Sequence, residues 1–364
     1  MNWAARAVPQ TAGLHPYVPG KPVEQLLREK GLDHAVKLAS NENPFGPSPK
    51  AVEAIRRSAS GVHRYPDGDS RRLKEALAGL HGVSPAHILP GNGSNEVLEL
   101  VIRTFAGPGD EVVYSRRGFI VYALATQAAG ASGIAVPEAD GLAHDLEAMA
   151  GALSARTKIV CIANPNNPTG TWIDGATLQA FLDRLPRELV VILDEAYYEY
   201  VMIEQGGYAP VHHPGLVLCR TFSKAYGLAG CRIGYAVAAP DIVALVNRFR
   251  EPFNISLLAQ EAALAALADR DWVLERVALC NVERLHLEAA MAELGILAAP
   301  CRGNFVLLRH AAAGLILQRL EDQGIIPRPL GPYGMPDDLR ITVGTPEENE
   351  VLLAALPSIL DSLD

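Results

Sequence analysis

Lys224 is the residue whose type and neighbours point most directly to covalent chemistry. It follows the apolar run LVLC at 216–219, which is typical of a short buried strand, so its side chain should lie just past a strand end. An amine beside an apolar wall and near the guanidinium of Arg232 is disfavoured in its charged form, so its pKa should fall. A neutral amine can attack a carbonyl group. The alternative, a solvated surface lysine, is what a Ser-x-Lys pattern without further context would indicate.

The polar residues around Lys224 are suited to binding an anion. Thr221 and Ser223 carry hydroxyl donors, and the guanidinium of Arg232 can bind a phosphate through two parallel hydrogen bonds. A reactive lysine beside such a cluster predicts a phosphorylated aldehyde as cofactor.

A second phosphate-binding element is expected near residue 93. The sequence ILPGNGSNEVLELVIRTF predicts a short strand, a glycine turn and an amphipathic helix, with Ser94 and Asn95 at the start of that helix. Backbone N–H groups and the positive end of the helix dipole favour phosphate there.

Two further polar residues follow buried strands. Asn164 ends the run IVCIA, and Asp194 ends the run LVVIL. The ends of parallel strands form one edge of an α/β sheet, where ligands bind, so we expect both side chains near Lys224. Asn164 would donate through its amide. For Asp194 the alternative is a cap on the next segment.

The order of apolar runs predicts an α/β fold. From Asp110 to Ala163, strand-like runs alternate with helical ones, which indicates right-handed βαβ units and a mostly parallel sheet flanked by helices. Phe119 lies at the start of the first of these helices, where either core packing or contact with a ligand would suit it.

We expect a large domain at 48–254 and a smaller α+β domain built from the two chain ends, 1–47 and 255–364. Arg328 and Arg340 fall within apolar strands of this smaller domain. Burying a guanidinium is costly unless it meets an anion, so these arginines indicate either structural salt bridges or an anionic substrate.

The composition excludes several classes of partner. With 364 residues, 49% of them hydrophobic, the chain can bury a sizeable core. A net charge of −9 without a dense Lys/Arg run argues against nucleic-acid binding. Its apolar runs are too short for a membrane span, and its first residues lack a signal-peptide core, so we expect a cytoplasmic protein without membrane partners.

Metal sites and disulfides are not expected. The five cysteines form no CxxC pair, and three lie in apolar runs, where a thiol packs as a small hydrophobe. The adjacent His212 and His213 lack matching ligands, so they are more typical of a solvated turn than of a metal centre.

The segment TFSKAYGLAGCRIGY resembles the lysine motif of fold type I pyridoxal-phosphate aminotransferases, and NPNNPTG and DEAY resemble other strings of that superfamily. The resemblance implies pyridoxal 5′-phosphate as cofactor, bonded to Lys224. It also implies that Asp194 holds the ring nitrogen protonated, that Asn164 and Tyr197 donate to the phenolic oxygen, and that Phe119 stacks on the ring.

Other strings are similar to those of histidinol-phosphate aminotransferases: HPYVPGKP, NENPFGP, RYPDG, GNGSNE, GIIPRPL and LRITVGT. From this resemblance, Tyr17 and Asn41 would face the substrate, although Tyr17 alone is more typical of packing near a turn. Tyr65 would cross the interface of a homodimer with shared active sites to reach the cofactor phosphate. Arg340, supported by Arg328, would bind the acidic group of the substrate.

The resemblance implies transfer of an amino group between L-histidinol phosphate and 2-oxoglutarate in histidine biosynthesis, with Lys224 moving the proton. Two features differ from the family pattern: Phe119 stands where many members have tyrosine, and SRRGF replaces a proline-containing string. Three alternatives stay open: an aromatic amino-acid aminotransferase, a phosphothreonine-type decarboxylase, and a cofactor-sensing regulator, for which no DNA-binding module is evident.

Overall fold

The computed structural model of this chain describes residues 1–14 and 20–363. Its strands are β1 Val36–Lys37, β2 Ile88–Gly91, β3 Glu111–Ser115, β4 Ser132–Val136, β5 Thr157–Ala163, β6 Val190–Asp194, β7 Leu216–Thr221, β8 Gly234–Ala238, β9 Leu297–Ala299, β10 Phe305–Arg309, β11 Ile325–Ile326, β12 Arg328–Pro329 and β13 Asp338–Thr342. Its α-helices are α1 Val23–Lys30, α2 Pro49–Ser58, α3 Arg71–His81, α4 Gly93–Phe105, α5 Ile120–Ala128, α6 Leu146–Gly151, α7 Gly175–Leu182, α8 Tyr198–Gln205, α9 Pro240–Val246, α10 Leu257–Leu267, α11 Arg270–Glu293, α12 Ala313–Asp322 and α13 Pro346–Asp361. Single 3₁₀ turns occupy Ala4–Arg6, Pro9–Gly13, Ala59–Gly61, Pro85–His87, Asp140–Leu142, Ala229–Cys231 and Gly331–Tyr333.

The largest sheet has seven strands in the order β2-β8-β7-β6-β5-β3-β4. Strands β3 to β7 pair in parallel, and β8 runs antiparallel to both β7 and β2. The central strands are aliphatic at nearly every position and buried along their length, as expected when helices cover both faces of a parallel sheet. The predicted α/β fold with a mostly parallel sheet is therefore confirmed.

Alternate residues of β5 show how the two faces are covered. Ile159 and Cys161 pack with the buried side chains of α4, α5 and α9, whereas Val160 and Ile162 pack with those of α6 and α7. Successive side chains of a strand point to opposite faces, so one aliphatic run fills both layers.

Two smaller sheets are built from the parts of the chain that precede and follow the seven-stranded sheet. Strands β12-β13-β10-β9 form an antiparallel sheet, and β1 pairs in parallel with β11. The pairing of β1 with β11 joins the N-terminal and C-terminal parts of the chain. Helix α10, however, packs against α2 and α3, so the domain boundary between 254 and 255 stays a prediction.

Two helices begin with capping residues that are visible in the sequence. Ser48 caps α2 by accepting a hydrogen bond from the N–H of Ala51 at 3.2 Å, and Pro49 occupies the first helical position. Helix α13 begins with a capping box between Thr345 and Glu348. No helix in residues 1–14 and 20–363 is both long and apolar enough to cross a membrane.

The sheet brings the chemically important loops together at one edge. Ala163 of β5 pairs with Asp194 of β6, and Asp194 pairs with Cys219 of β7, so these three parallel strands end side by side. Gly91 at the end of β2 pairs with Gly234 of β8, which places the start of α4 beside the loop between β7 and β8.

Candidate active site

A cavity of about 260 Å³ opens at this edge of the large sheet. It is lined by most of the residues that the sequence singled out: Asn41, Ser94, Asn95, Phe119, Asp194, Tyr197, Thr221, Ser223, Lys224, Arg232 and Arg340. Asn164, Tyr65 and Arg328 do not line it. Tyr17 lies outside the residues that the structure describes.

Lys224 enters the cavity from the loop after β7, and its Nζ donates to the carbonyl oxygen of Ser40 at 3.1 Å. Burial lowers the pKa of Lys224 to about 7, helped by the positive charges of Arg340 and Arg232 and opposed by Glu42. The direction agrees with the sequence prediction, although Arg340 contributes more than Arg232. At neutral pH a large fraction of the amine is therefore uncharged and nucleophilic.

The anion-binding part of the cavity lies where α4 begins. Gly93 has a φ of +78°, and a Cβ there would lie 2.5 Å from Nη2 of Arg232, so the glycine lets the guanidinium approach the helix end. Nη1 of Arg232 also donates to Oγ of Ser223 at 3.3 Å. The first amides of a helix have no partner within it, so those of Ser94 and Asn95, with Arg232 and Ser223, have the chemistry that would suit a phosphate.

Asp194 contributes a carboxylate, which carries negative charge when ionised, to the cavity lining. It is only 4% exposed, and it accepts hydrogen bonds from the hydroxyl of Tyr122 at 2.9 Å and from the N–H of Ala196 at 3.2 Å. Burial raises the pKa of Asp194 to about 6. No lysine, arginine or histidine of the described chain forms an ion pair with it, so its other contacts are left for a cationic donor in the cavity. The sequence analysis did not identify Tyr122.

Tyr197 and Asn41 also line the cavity and are hydrogen-bonded to each other. The Nδ2 of Asn41 donates to the hydroxyl of Tyr197 at 2.8 Å, while the N–H of Asn41 donates to Oγ1 of Thr342. Burial raises the pKa of Tyr197 to about 12, so its hydroxyl stays neutral. Because the hydroxyl oxygen accepts from Asn41, its proton is available to an acceptor in the cavity.

The expectation that Asn164 faces the cavity is wrong. Its Nδ2 donates to the carbonyl oxygen of Ile173 at 2.9 Å, and its Oδ1 accepts from the N–H of Ile173 at 2.8 Å, so the amide holds the loop together and does not line the cavity. Asn167 of the same NPNNPTG string lines the cavity instead, and its Oδ1 accepts from Nη1 of Arg340 at 2.5 Å.

Arg340 extends from β13 into the cavity. Besides Asn167, it donates to the carbonyl oxygen of Ala39 at 2.9 Å, and its guanidinium lies 5.5 Å from the ring centre of Phe305. Its Nε is buried without a hydrogen-bond partner, and it forms no salt bridge within the described residues. This favours an anionic ligand over a structural ion pair.

Two predicted residues lie elsewhere. Arg328 is buried directly across the β12–β13 pair from Arg340 but does not reach the cavity lining. Tyr65 is 83% exposed and stacks on Phe253 with ring centres 4.6 Å apart. It does not contribute to the cavity of its own chain, so its contact with a cofactor in a second subunit stays a prediction.

Tyr333 was also missed by the sequence analysis. It reaches the cavity from the 3₁₀ turn at 331–333, in the loop between β12 and β13. No local signal distinguishes this tyrosine from a packing residue. Across the part of the chain that the structure describes, no cluster of three potential metal ligands occurs.

Comparison with known proteins gives concordant results. The family model for aminotransferase class I and II matches residues 33–356. Histidinol-phosphate aminotransferase 2 of Pseudomonas aeruginosa is 47% identical, over 99% of this chain and 99% of that protein. Histidinol-phosphate aminotransferase of an Anaeromyxobacter strain is 46% identical, over 97% of this chain and 98% of its own length.

Solved structures extend the comparison. The crystal structure of histidinol-phosphate aminotransferase from Sinorhizobium meliloti, in complex with pyridoxal-5′-phosphate, superposes with a TM-score of 0.89 at 33% identity, covering 99% of each chain. A Thermus thermophilus aspartate aminotransferase mutant has a TM-score of 0.82 at 22% identity and covers 97% of this chain and 99% of its own, which is a likeness of fold alone. The predicted fold type I architecture is confirmed.

We expect the nucleophilicity of Lys224 to rise through neutral pH, because below pH 7 the amine is protonated. Trace labelling with acetic anhydride, followed by peptide mass spectrometry, should give a labelling midpoint near pH 7 in the cofactor-free protein. Arg340→Gln should move this midpoint upward, since a cation that lowers the pKa is removed. The exposed Lys50 is the reference for reagent reactivity. A Lys224 labelling rate that still climbs at pH 10 would contradict the assignment.

The two asparagines should differ in what their loss affects. Asn164→Ala leaves the N–H and carbonyl of Ile173 without their buried partners, so urea unfolding should show a loss of about 2 kcal/mol. Asn167→Ala should cost less stability because this residue is half-buried, but it should weaken the binding of pyridoxal phosphate, measured by absorbance titration. The opposite ranking in both measurements would restore Asn164 as the cavity residue.

Proposed function

This chain belongs to the class I and II aminotransferase family, and from that premise we propose that it transfers an amino group between L-histidinol phosphate and 2-oxoglutarate. The products are imidazole acetol phosphate and glutamate, which places the enzyme in histidine biosynthesis. The observation that carries the proposal is the likeness, over nearly the whole chain, to relatives named for this activity.

The cavity fits pyridoxal phosphate. A phosphate would be held by Ser94, Asn95, Ser223 and Arg232, and the ring would lie against Phe119 with its nitrogen toward Asp194. The best evidence for this fit is Asp194 itself, a buried carboxylate without a cationic partner in the residues described. Tyr197 and Asn167 would donate to the phenolic oxygen. Bound pyridoxal phosphate supplies an aldehyde that bonds to amines and a ring that accepts electrons from the adjacent substrate carbon.

The chain's own residues position the substrate and move its proton. With a pKa of about 7, Nζ of Lys224 can take the proton from the substrate carbon and return it at neutral pH. Asp194, when ionised, holds a proton on the ring nitrogen. Tyr197 keeps its hydroxyl proton for the phenolic oxygen.

Arg340 is the proposed binding group for the acidic end of each substrate. Its buried Nε is available to the carboxylate of glutamate or to the phosphate of histidinol phosphate. Arg328 lies directly across the strand pair and would add positive charge, although its contact with substrate is itself part of the proposal. Tyr17 and Asn41 would complete the substrate mouth.

A homodimer with shared sites is part of the proposal. Tyr65 and Phe253 stack while exposed to solvent, and exposed stacked aromatic rings are typical of an interface. A second chain packed there would bring Tyr65 to the phosphate group in the partner's site. We also propose a cytoplasmic location, as suits an enzyme of small phosphorylated metabolites, without nucleic-acid or membrane partners.

The substrate assignment is tested by single-turnover absorbance of the cofactor with histidinol phosphate, phenylalanine, tyrosine and phosphothreonine. Histidinol phosphate should have the highest specificity constant. If phenylalanine or tyrosine reacts faster, the enzyme is an aromatic aminotransferase; if phosphothreonine loses carbon dioxide, it is a decarboxylase.

Arg340→Gln should lower the specificity constant for histidinol phosphate and for glutamate alike. Losing one partner of a buried charged contact costs about 2–5 kcal/mol, and every 1.4 kcal/mol corresponds to about tenfold, so a loss well above tenfold is expected. The exposed Arg187→Gln is the matched control and should react at the natural rate. An Arg340 variant with unchanged constants would place the acidic group elsewhere.

The shared site is tested by mixing two inactive variants, Tyr65→Ala and Lys224→Ala. A mixed dimer has one site with both Lys224 and the partner's Tyr65 intact, so partial activity should return after subunit exchange. Exchange is verified by native mass spectrometry of differently tagged chains. Mixed dimers without activity would show that Tyr65 acts within its own chain or not at all.

A further inference from the structure

Tyr122 is a buried tyrosine hydrogen-bonded to a residue of the cavity lining, and neither the sequence analysis nor the proposed reaction assigns it a function. It is 1% exposed, and its hydroxyl donates to Oδ2 of Asp194 at 2.9 Å. A buried hydroxyl that donates to a carboxylate makes a charge-assisted hydrogen bond, which is stronger than one between neutral groups.

We propose that Tyr122 is a positioning residue for Asp194: its hydroxyl keeps the carboxylate ionised and holds the other oxygen toward the ring nitrogen of the bound cofactor. This inference rests on the aminotransferase activity and cofactor proposed above. Tyr122 itself does not line the cavity, so it acts through Asp194 and not by direct contact.

The surroundings of Asp194 explain why this donor matters. The titratable groups that face the carboxylate from the neighbouring elements are Tyr122 of α5, Cys161 of β5, Cys219 of β7, and Glu195 and Tyr197 of its own loop. Burial raises the pKa of both thiols, so they stay neutral. None of these groups is a cation. The hydroxyl of Tyr122 and the N–H of Ala196 are thus the donors that offset the cost of burying the charge.

A tyrosine provides this support at every working pH. Burial and the nearby carboxylate raise the pKa of Tyr122 well above its ordinary value, so the hydroxyl keeps its proton. An imidazole in the same place would change charge near neutral pH and alter the field on Asp194. The hydroxyl therefore gives a constant hydrogen bond and no pH switch.

The first turn of α5 connects Tyr122 to Phe119, the residue proposed to stack on the cofactor ring. Phe119 precedes the helix, its carbonyl oxygen accepts from the N–H of Tyr122 at 3.0 Å, and the two rings meet edge to face with centres 6.0 Å apart. Oγ1 of Thr126 donates to the carbonyl oxygen of Tyr122 one turn later. One helical turn thus presents Phe119 to the face of the cofactor ring and Tyr122 to the carboxylate at its nitrogen.

The turn before α5 fixes this arrangement. Gly118 lies where a Cβ would stand 2.9 Å from the carbonyl oxygen of Ser115, so the close turn requires glycine. Asn166 of the loop after β5 donates to the carbonyl oxygen of Arg117 at 3.0 Å. The SRRGF string, which differs from the family pattern, therefore sets the position of both aromatic residues.

The test compares Tyr122→Phe with Tyr200→Phe in the full-length protein. Tyr200 is also a buried tyrosine, but its hydroxyl has no partner among the described residues. Tyr200→Phe therefore removes the same hydroxyl oxygen without breaking a hydrogen bond. Affinity for pyridoxal phosphate is measured by titrating cofactor-free protein across pH, and kcat and KM are measured separately.

Tyr122→Phe should bind pyridoxal phosphate about tenfold more weakly at neutral pH, since a hydrogen bond to a charged group is lost. Removing a donor to the ionised form raises the pKa of Asp194, so affinity should begin to fall at a pH about one unit higher as the solution is acidified. The variant should lose kcat with little change in KM. Tyr200→Phe should match the natural protein in all three measurements.

A double-mutant cycle with Asp194→Asn separates positioning from packing. In that background Tyr122→Phe should cause no further loss of affinity, because the carboxylate on which it acts is gone. Equal losses in both backgrounds, or an unchanged pH profile in Tyr122→Phe, would overturn the inference. If Tyr122→Phe does not fold, Tyr122→His is measured in its place. The proposal requires the affinity of Tyr122→His for pyridoxal phosphate to show an additional titration near neutral pH. An affinity profile without that titration would refute the proposal. A natural protein that fails to bind pyridoxal phosphate would instead refute the proposed function.

Discussion

The active-site region depends on burying charged groups that have no counter-ion within the described chain. The pKa of Lys224 is lowered, the pKa of Asp194 is raised, and Arg340 keeps a buried Nε without a partner. Each of these states costs free energy that the surrounding sheet must offset. A cofactor with an aldehyde and a ring nitrogen would relieve the first two, and the acidic group of a substrate would relieve the third, which is why perturbed groups of this kind mark a functional site.

The fold can hold these groups apart because each lies on a rigid support, which is a β-strand or the residues just after one. Asp194 ends a fully buried strand, Lys224 follows another, and Arg340 projects from β13 of the smaller antiparallel sheet. Asn41 connects the supports: it contacts Tyr197 through its side chain and Thr342 through its N–H. These two hydrogen bonds link the loop after β6 to β13 and so support the cavity walls before any ligand binds.

The sequence was informative where a residue's environment is set by its own strand or helix. Asp194 and the helix start at Ser94 follow from apolar runs and turn signals, and both line the cavity. Asn164 was misassigned because the direction of its loop depends on hydrogen bonds to Ile173, and no pattern in the loop indicates that pairing. Tyr122 could have been found, since it lies one helical turn after Phe119, but recognising it requires knowing that its hydroxyl reaches Asp194 at the end of β6.

The cavity is assembled from segments that are distant along the chain, from Ser40 to Arg340. Translation delivers these segments in order, and the large sheet is complete at Ala238, well before β13 is made. A ribosome-bound chain can therefore fold its parallel sheet while Lys224 and Asp194 face an open edge that lacks Arg340. The residues proposed to hold the cofactor all precede Ala238, so the part of the site that is made last is the arginine proposed to bind the acidic end of the substrate.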